Sequence, residues 1–82
     1  MEKLVTLYNI ILKNDKCSFV CRDLNGGHFT MSKGNMLDDI NGIKLIFNRY
    51  VAAAEYINNF LDSELYFIEE FSGVSELVCG LD

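Results

Sequence analysis

No proline occurs anywhere in the 82 residues, and the six glycines are few and local. Without such breakers there is no linker and no low-complexity segment to divide the chain, and no internal repeat is present, so residues 1–82 read as one domain. Basic residues are missing from the last third. Residues 51–82 hold seven carboxylates and no Lys or Arg, whereas residues 1–50 hold seven basic groups and five acidic ones. The two stretches carry −7 and +2, which gives the net charge of −5. Such a chain lacks the basic stripe that releases counterions from a phosphate backbone, which argues against direct nucleic-acid binding. A basic partner surface, or solubility alone, suits the imbalance better.

Metal and nucleophile signatures are also missing. The three cysteines, Cys17, Cys21 and Cys79, include no Cys-x₂-Cys pair that could build a zinc knuckle. On a strand, Cys17 and Cys21 share a face but stand about 13 Å apart, too far to chelate one ion. Both are read as buried apolar thiols, and Cys79, near the end, as an accessible one open to adventitious intermolecular disulfide formation. An odd cysteine count with no sign of export implies reduced thiols and a cytoplasmic location. The apolar run Leu4–Leu12 is interrupted by Thr6 and Asn9, is too short to span a bilayer and is followed by no signal-peptide cleavage site; no lipidation motif is present.

The single histidine, His28, adjoins a glycine-rich turn. As a base or ligand it would need an orienting carboxylate, and Asp23 is the nearest across the hairpin; an exposed turn histidine is the plainer reading. "NGGH" lacks the spacing, the Lys and the helix of a phosphate loop. No serine sits in a nucleophile elbow. The pairs Asp38-Asp39 and Glu69-Glu70 do not converge, because adjacent side chains diverge by about 100° on a helix and point to opposite faces on a strand. No catalytic, cofactor or metal residues are therefore expected.

What is present is apolar. Half the residues are hydrophobic and 23% are charged. A chain of this size buries roughly 60–65% of its unfolded surface, so some apolar area should stay outside for a partner or a second copy. Leu4–Leu12 and Cys17–Asp23 read as strands around an Asn14-Asp15 turn, a register that sets Leu12 opposite Cys17, Ile10 opposite Phe19 and Tyr8 opposite Cys21. A second hairpin with a three-residue loop, Asn25 to Gly27, and a glycine in the left-handed position sets Met31 opposite Cys21 and Phe29 opposite Asp23. Asn35 is a sound helix N-cap with Asp38 three residues on, and Ile40, Ile43, Phe47, Tyr50, Ala54, Ile57 and Leu61 step by three and four, predicting one long helix that ends at Asp62-Ser63. Gly42 inside its first turns marks a kink or a later start. Glu64–Phe71 reads as a strand returning to the sheet and is also compatible with a helix through Leu65, Ile68 and Phe71; Ser75–Cys79 before Gly80 suggests a short helix. The expected fold is α+β, ββαβ-like: an antiparallel meander whose Tyr8/Ile10/Phe19/Cys21/Phe29/Met31 face packs on one long helix.

Two surfaces follow. The second side of the sheet, with Val5, Leu7, Ile11 and Val20, is too apolar for a solvated face, so either the C-terminal segment covers it or it is a homodimer or partner interface. The acidic residues Glu55, Asp62, Glu64, Glu69, Glu70, Glu76 and Asp82 form either a solubilising surface or a negative face that occupies a basic site on another protein.

In size, acidity and strand–strand–helix order the chain resembles the small accessory proteins of bacteriophages. That resemblance implies a host-cell protein that inhibits a defence system by binding, in some members by mimicking DNA. The sequence thus points to a non-enzymatic inhibitor, expected to be a homodimer, that occludes a basic surface of a larger intracellular partner such as a nucleic-acid-binding enzyme or an ATPase. A homodimeric structural or regulatory protein is the alternative. An enzyme would have to use His28.

Overall fold

Strand β1 (Leu4–Leu12) is so rich in branched and aromatic side chains that it suits a strand covered on both faces. In the computed structural model, which describes residues 3–78, β1 is the hub of a six-stranded antiparallel sheet. Strand β6 (Tyr66–Val74) runs along its whole length, from Leu12 opposite Tyr66 to Leu4 opposite Val74. The other edge of β1 is shared. Strand β2 (Asp15–Asp23) pairs with it only near the hairpin, at Leu12↔Asp15 and Ile11↔Phe19, and β5 (Ile46–Phe47) takes over at Asn9 and Tyr8. Beyond Phe19, β2 diverges from β1 and takes β4 (Gly42–Lys44) on that same edge, while β3 (His28–Ser32) lies on its far side. Residues 42–47 are therefore a wedge between β1 and β2, with buried Leu45 at its bend. Helix α1 (Tyr50–Phe60) follows the wedge directly and packs on one face of the sheet.

The long helix predicted from Asn35 to Leu61 forms only in its second half. Asn35 instead closes a single 3₁₀ turn, Lys33–Asn35, whose first amides are served by the Ser32 hydroxyl, an acceptor for the Gly34 N–H at 3.3 Å. The physical reason is tertiary. The open edges of β1 and β2 take the backbone of residues 42–47, and Gly42 fits there because it has no side chain: a Cβ would stand 2.4 Å from the Arg22 carbonyl oxygen. Backbone pairing between two diverging strands outweighs the local helical preference.

The first hairpin also differs from its predicted register. Lys13 and Asn14 make the turn, and a bulge between Ile11 and Leu12 sets Ile11, not Ile10, opposite Phe19. A one-residue slip exchanges the faces. Ile10 and Tyr8 thus face the helix with Val20, Leu45, Phe47, Ala53, Tyr56 and Ile57, whereas Phe19 and Cys21 lie on the opposite side with Leu7, Ile11 and Ile46. The single apolar face expected from Tyr8 to Met31 is divided between two cores. The second hairpin keeps its three-residue loop but places it one residue earlier, at Leu24–Gly26, with Gly26 at φ +89° and the Asp23 N–H donating to the Gly27 carbonyl at 2.9 Å. The resulting pairs, Cys21↔Phe29 and Phe19↔Met31, are two residues from the predicted register, so Phe19, Cys21, Phe29 and Met31 still share a face.

The tail is a strand, as the alternation of Phe67 and Phe71 with Tyr66 and Glu70 suggests, and a 3₁₀ turn at Ser75–Leu77 follows it. Cys79, Gly80 and Asp82 lie outside the described residues. The second core is covered by Leu77 and Val78 of the tail together with Met36 and Ile40 of the irregular 36–41 segment. Asn9 lies within this apolar layer, 1% exposed, with its Oδ1 unpaired. Among the described residues no helix is long and apolar enough to cross a membrane.

Candidate partner-binding surface

Helix α1 has two flanks. Toward β2 and β3, Arg22 and His28 form a cross-strand pair, and strand alternation aims both toward the helix alongside Val20. His28 Nε2 lies 2.7 Å from the Tyr56 hydroxyl, with the rings edge to face at 5.7 Å. The Arg22 guanidinium sits 5.1 Å from the centre of the Phe60 ring, a cation–π contact, and Phe60 in turn stacks on Tyr56. Burial lowers the His28 pKa and the Arg22 charge adds to it, against a weaker pull from Asp23. Burial raises that of Tyr56, with the Arg22 charge opposing. Both shifts favour the neutral form of the group. Tyr56 is only 3% exposed.

His28 is therefore a half-buried tether rather than an exposed turn residue. Asp23, the carboxylate expected to orient it, is engaged elsewhere: its Oδ1 accepts the N–H groups of Asn25 at 2.8 Å and Gly27 at 2.9 Å. The tyrosine that does meet the imidazole lies 28 residues away, and no local spacing signals it.

Toward β6 the other flank is open. A cavity of about 360 Å³ is lined by Tyr50, Ala54, Ile57 and Asn58 of α1, residues 66–68 of β6, and Lys13 and Ser63. Tyr50 is 60% exposed and touches the sheet edge-on through Tyr8, ring centres 5.9 Å apart. Leu65, just before β6, leaves about half its surface outside.

The predicted acidic residues distribute around this flank unevenly. Glu55 is exposed on α1, Asp62 and Glu64 are exposed in the connection to β6, and the Asp62 carboxylate accepts the Glu64 N–H at 2.9 Å. Glu70 is exposed on the helix side of β6, two positions beyond Ile68. Glu69 points to the opposite face, where it pairs with Lys33 at 2.6 Å; Glu76 is exposed on the tail turn behind the second core. Strand alternation thus removes Glu69 from the group, and Glu76 belongs to another side. Among the described residues Lys33–Glu69 is the one ion pair, so Glu55, Asp62, Glu64 and Glu70 have no salt-bridge partner there, while Lys13 brings one positive charge into the lining of the cavity.

The predicted dimer interface is corrected more fully. Leu7 and Ile11 are 0% exposed inside the second core, and Val20, at 1%, lies under the helix. Only Val5 keeps partial exposure. Side chains without free surface cannot meet a second copy; the chain covers this face itself. The thiols also part company. Cys21 is buried, its pKa pushed up to about 11 by desolvation against the opposing charge of Lys44. Cys17 is exposed rather than buried, because it falls at the bulge, where neither neighbouring strand offers a residue opposite it. Among the described residues no group of His, Cys, Asp and Glu is placed to hold a metal ion.

No family model, curated protein or solved structure matches the chain.

Proposed function

We propose that this is a non-enzymatic binding protein that occludes a basic, nucleic-acid-binding surface of a larger intracellular partner, using the face made by α1, the loop after it and β6. One observation carries the proposal: exposed carboxylates at Asp62, Glu64 and Glu70 lie on the connection and the strand that follow α1, beside a groove walled by Tyr50, Ile57 and Tyr66 whose own lining carries Lys13 as its one charged side chain. An apolar centre with aromatic anchors inside a charged rim is the usual anatomy of a contact surface. Carboxylates beside the groove steer a cationic partner and make its capture salt-sensitive. The inhibitory role follows the class of phage accessory protein that the chain resembles, and the engaged state of His28 is in keeping with a protein that acts by contact.

The test uses the opposed directions of two neighbouring glutamates. Immobilised wild type, Glu69→Lys, and the double variant Glu64→Lys/Glu70→Lys are compared for capture from host lysate, with mass spectrometry and a nucleic-acid-binding assay on the captured partner. Wild type and Glu69→Lys should retain one partner and block its nucleic-acid binding, while the double variant should lose it. Equal capture by all three, or a partner that still binds nucleic acid when captured, would end the occlusion reading.

A further inference from the structure

We infer that the outer edge of β6 is a docking strand: an extended, cationic segment of the partner pairs with it as an additional strand and sets apolar side chains into the groove beside α1. The inference rests on the proposed function, since it assigns the partner's chemistry at the same face.

Three observations lead to it. First, β6 pairs with β1 through all nine of its residues, and among the described residues no strand lies on its other side. An open row of backbone N–H and C=O groups is a ready template for an added strand. Second, the groove reaches that backbone. It is lined by three consecutive residues, Tyr66, Phe67 and Ile68, although the Phe67 side chain packs into the core on the opposite face. Alternate side chains of an added strand would therefore stand beside Tyr66 and Ile68, within the space that Tyr50 and Ile57 leave open.

Third, charge selects the occupant. Natural edges are often guarded by lysine; this one carries Glu69 and Glu70 at its middle. A second β6 laid antiparallel about that pair, or parallel in register, would set carboxylate against carboxylate, which disfavours self-pairing. A strand with Lys or Arg facing Glu70, apolar residues facing Ile68 and Tyr66, and a second basic residue beyond the start of β6, where exposed Glu64 stands in the turn, matches the charge of the edge and the shape of the groove.

The peptide Lys-Thr-Val-Thr-Phe-Thr-Lys has that pattern in either direction, and its fluorescein derivative serves as the probe in anisotropy titrations at low salt. Two further forms carry N-methyl groups, one on the three threonines and the other on the alternate residues. Each blocks one edge of the extended peptide and leaves the other free. Pairing predicts that one form binds like the parent while the other is weaker by at least about tenfold, from the backbone hydrogen bonds it cannot make. Hydrogen exchange should show new protection within Tyr66–Val74. Equal binding by the two methylated forms, or no binding of the parent at about 1 mM, overturns the edge assignment. So does protection of β6 that depends on protein concentration instead of peptide, which would give the edge to a second copy. A variant peptide with Glu for both Lys separates the two claims. If it binds as well as the parent, the electrostatic reading of the face fails; if it alone is lost while the methylated pair bind alike, that reading survives and strand pairing falls.

Discussion

Toward β3, α1 is held by a hydrogen bond between Tyr56 and His28 and by Phe60 against Arg22, whereas toward β6 the same helix lies close to the strand, packs with Tyr66 and Ile68, and leaves a cavity of about 360 Å³ beside them. Both flanks are furnished with tyrosine, and the contrast lies in what the ring meets. Tyr56 has a partner for its hydroxyl and is 3% exposed; Tyr50 has only the edge of Tyr8 and is 60% exposed. The polar tether fixes one flank, and the cavity on the other is where surface remains for another molecule.

The contrast would collapse if the shared floor were removed. Phe47, fully buried and packed against Tyr56, lies under both flanks. Phe47→Ala should cost about 3–5 kcal/mol in denaturant unfolding and loosen the helix on both sides. A smaller effect should come from the wedge. Gly42→Ala forces a methyl group onto the Arg22 carbonyl and should cost about 1–3 kcal/mol. In NMR spectra it should abolish the cross-peaks between His28 and Tyr56 while those between Tyr8 and Tyr50 persist. Smaller still, and the sharpest measure of the difference, is a pair of hydroxyl deletions. Tyr56→Phe should lose about 1 kcal/mol and Tyr50→Phe close to none, both by chemical denaturation; equal losses would contradict the asymmetry.

The smallest effect expected is pH-dependent. The folded state holds the His28 pKa below its ordinary value of 6.5 through burial and the Arg22 charge. The unfolded chain therefore takes up a proton first, so the contribution of this neutral imidazole is complete above about pH 6.5 and declines as the pH falls below it. In His28→Gln the stability-versus-pH curve should lose that downward step, and an unchanged curve would assign the step to other groups.

The strands β1, β2, β3 and β6 could be read from composition and alternation, and the second hairpin even kept its loop length. Two physical effects hid the rest. Ile40, Ile43 and Phe47 satisfy a helical period, yet they serve a cover segment and a wedge, because the open backbone of two diverging strands exists only once the sheet is assembled. The bulge at Ile11 and Leu12 leaves no mark on composition, and it reassigned Phe19 and Cys21 to the other core. The same displacement carried Val20 under the helix, while the tail and the 36–41 segment closed the expected dimer interface over Leu7 and Ile11. Of the candidate site, the acidity of the last third was plain, but which carboxylates stand together depended on the register of β6: Glu70 shares the helix side with Ile68, while Glu69 turns away to Lys33. The pairing of His28 with Tyr56 had no local signal at all.

The zipper between β1 and β6 also sets a timetable for the molecule's birth. Leu4 to Leu12 is translated before any of its three companion strands, and its longest companion, Tyr66 to Val74, comes after the helix. Until then the long edge of this greasy ribbon that β6 will take is unpaired. Pairings between such distant stretches close slowly, so the most adhesive moment of the nascent domain precedes the arrival of β6.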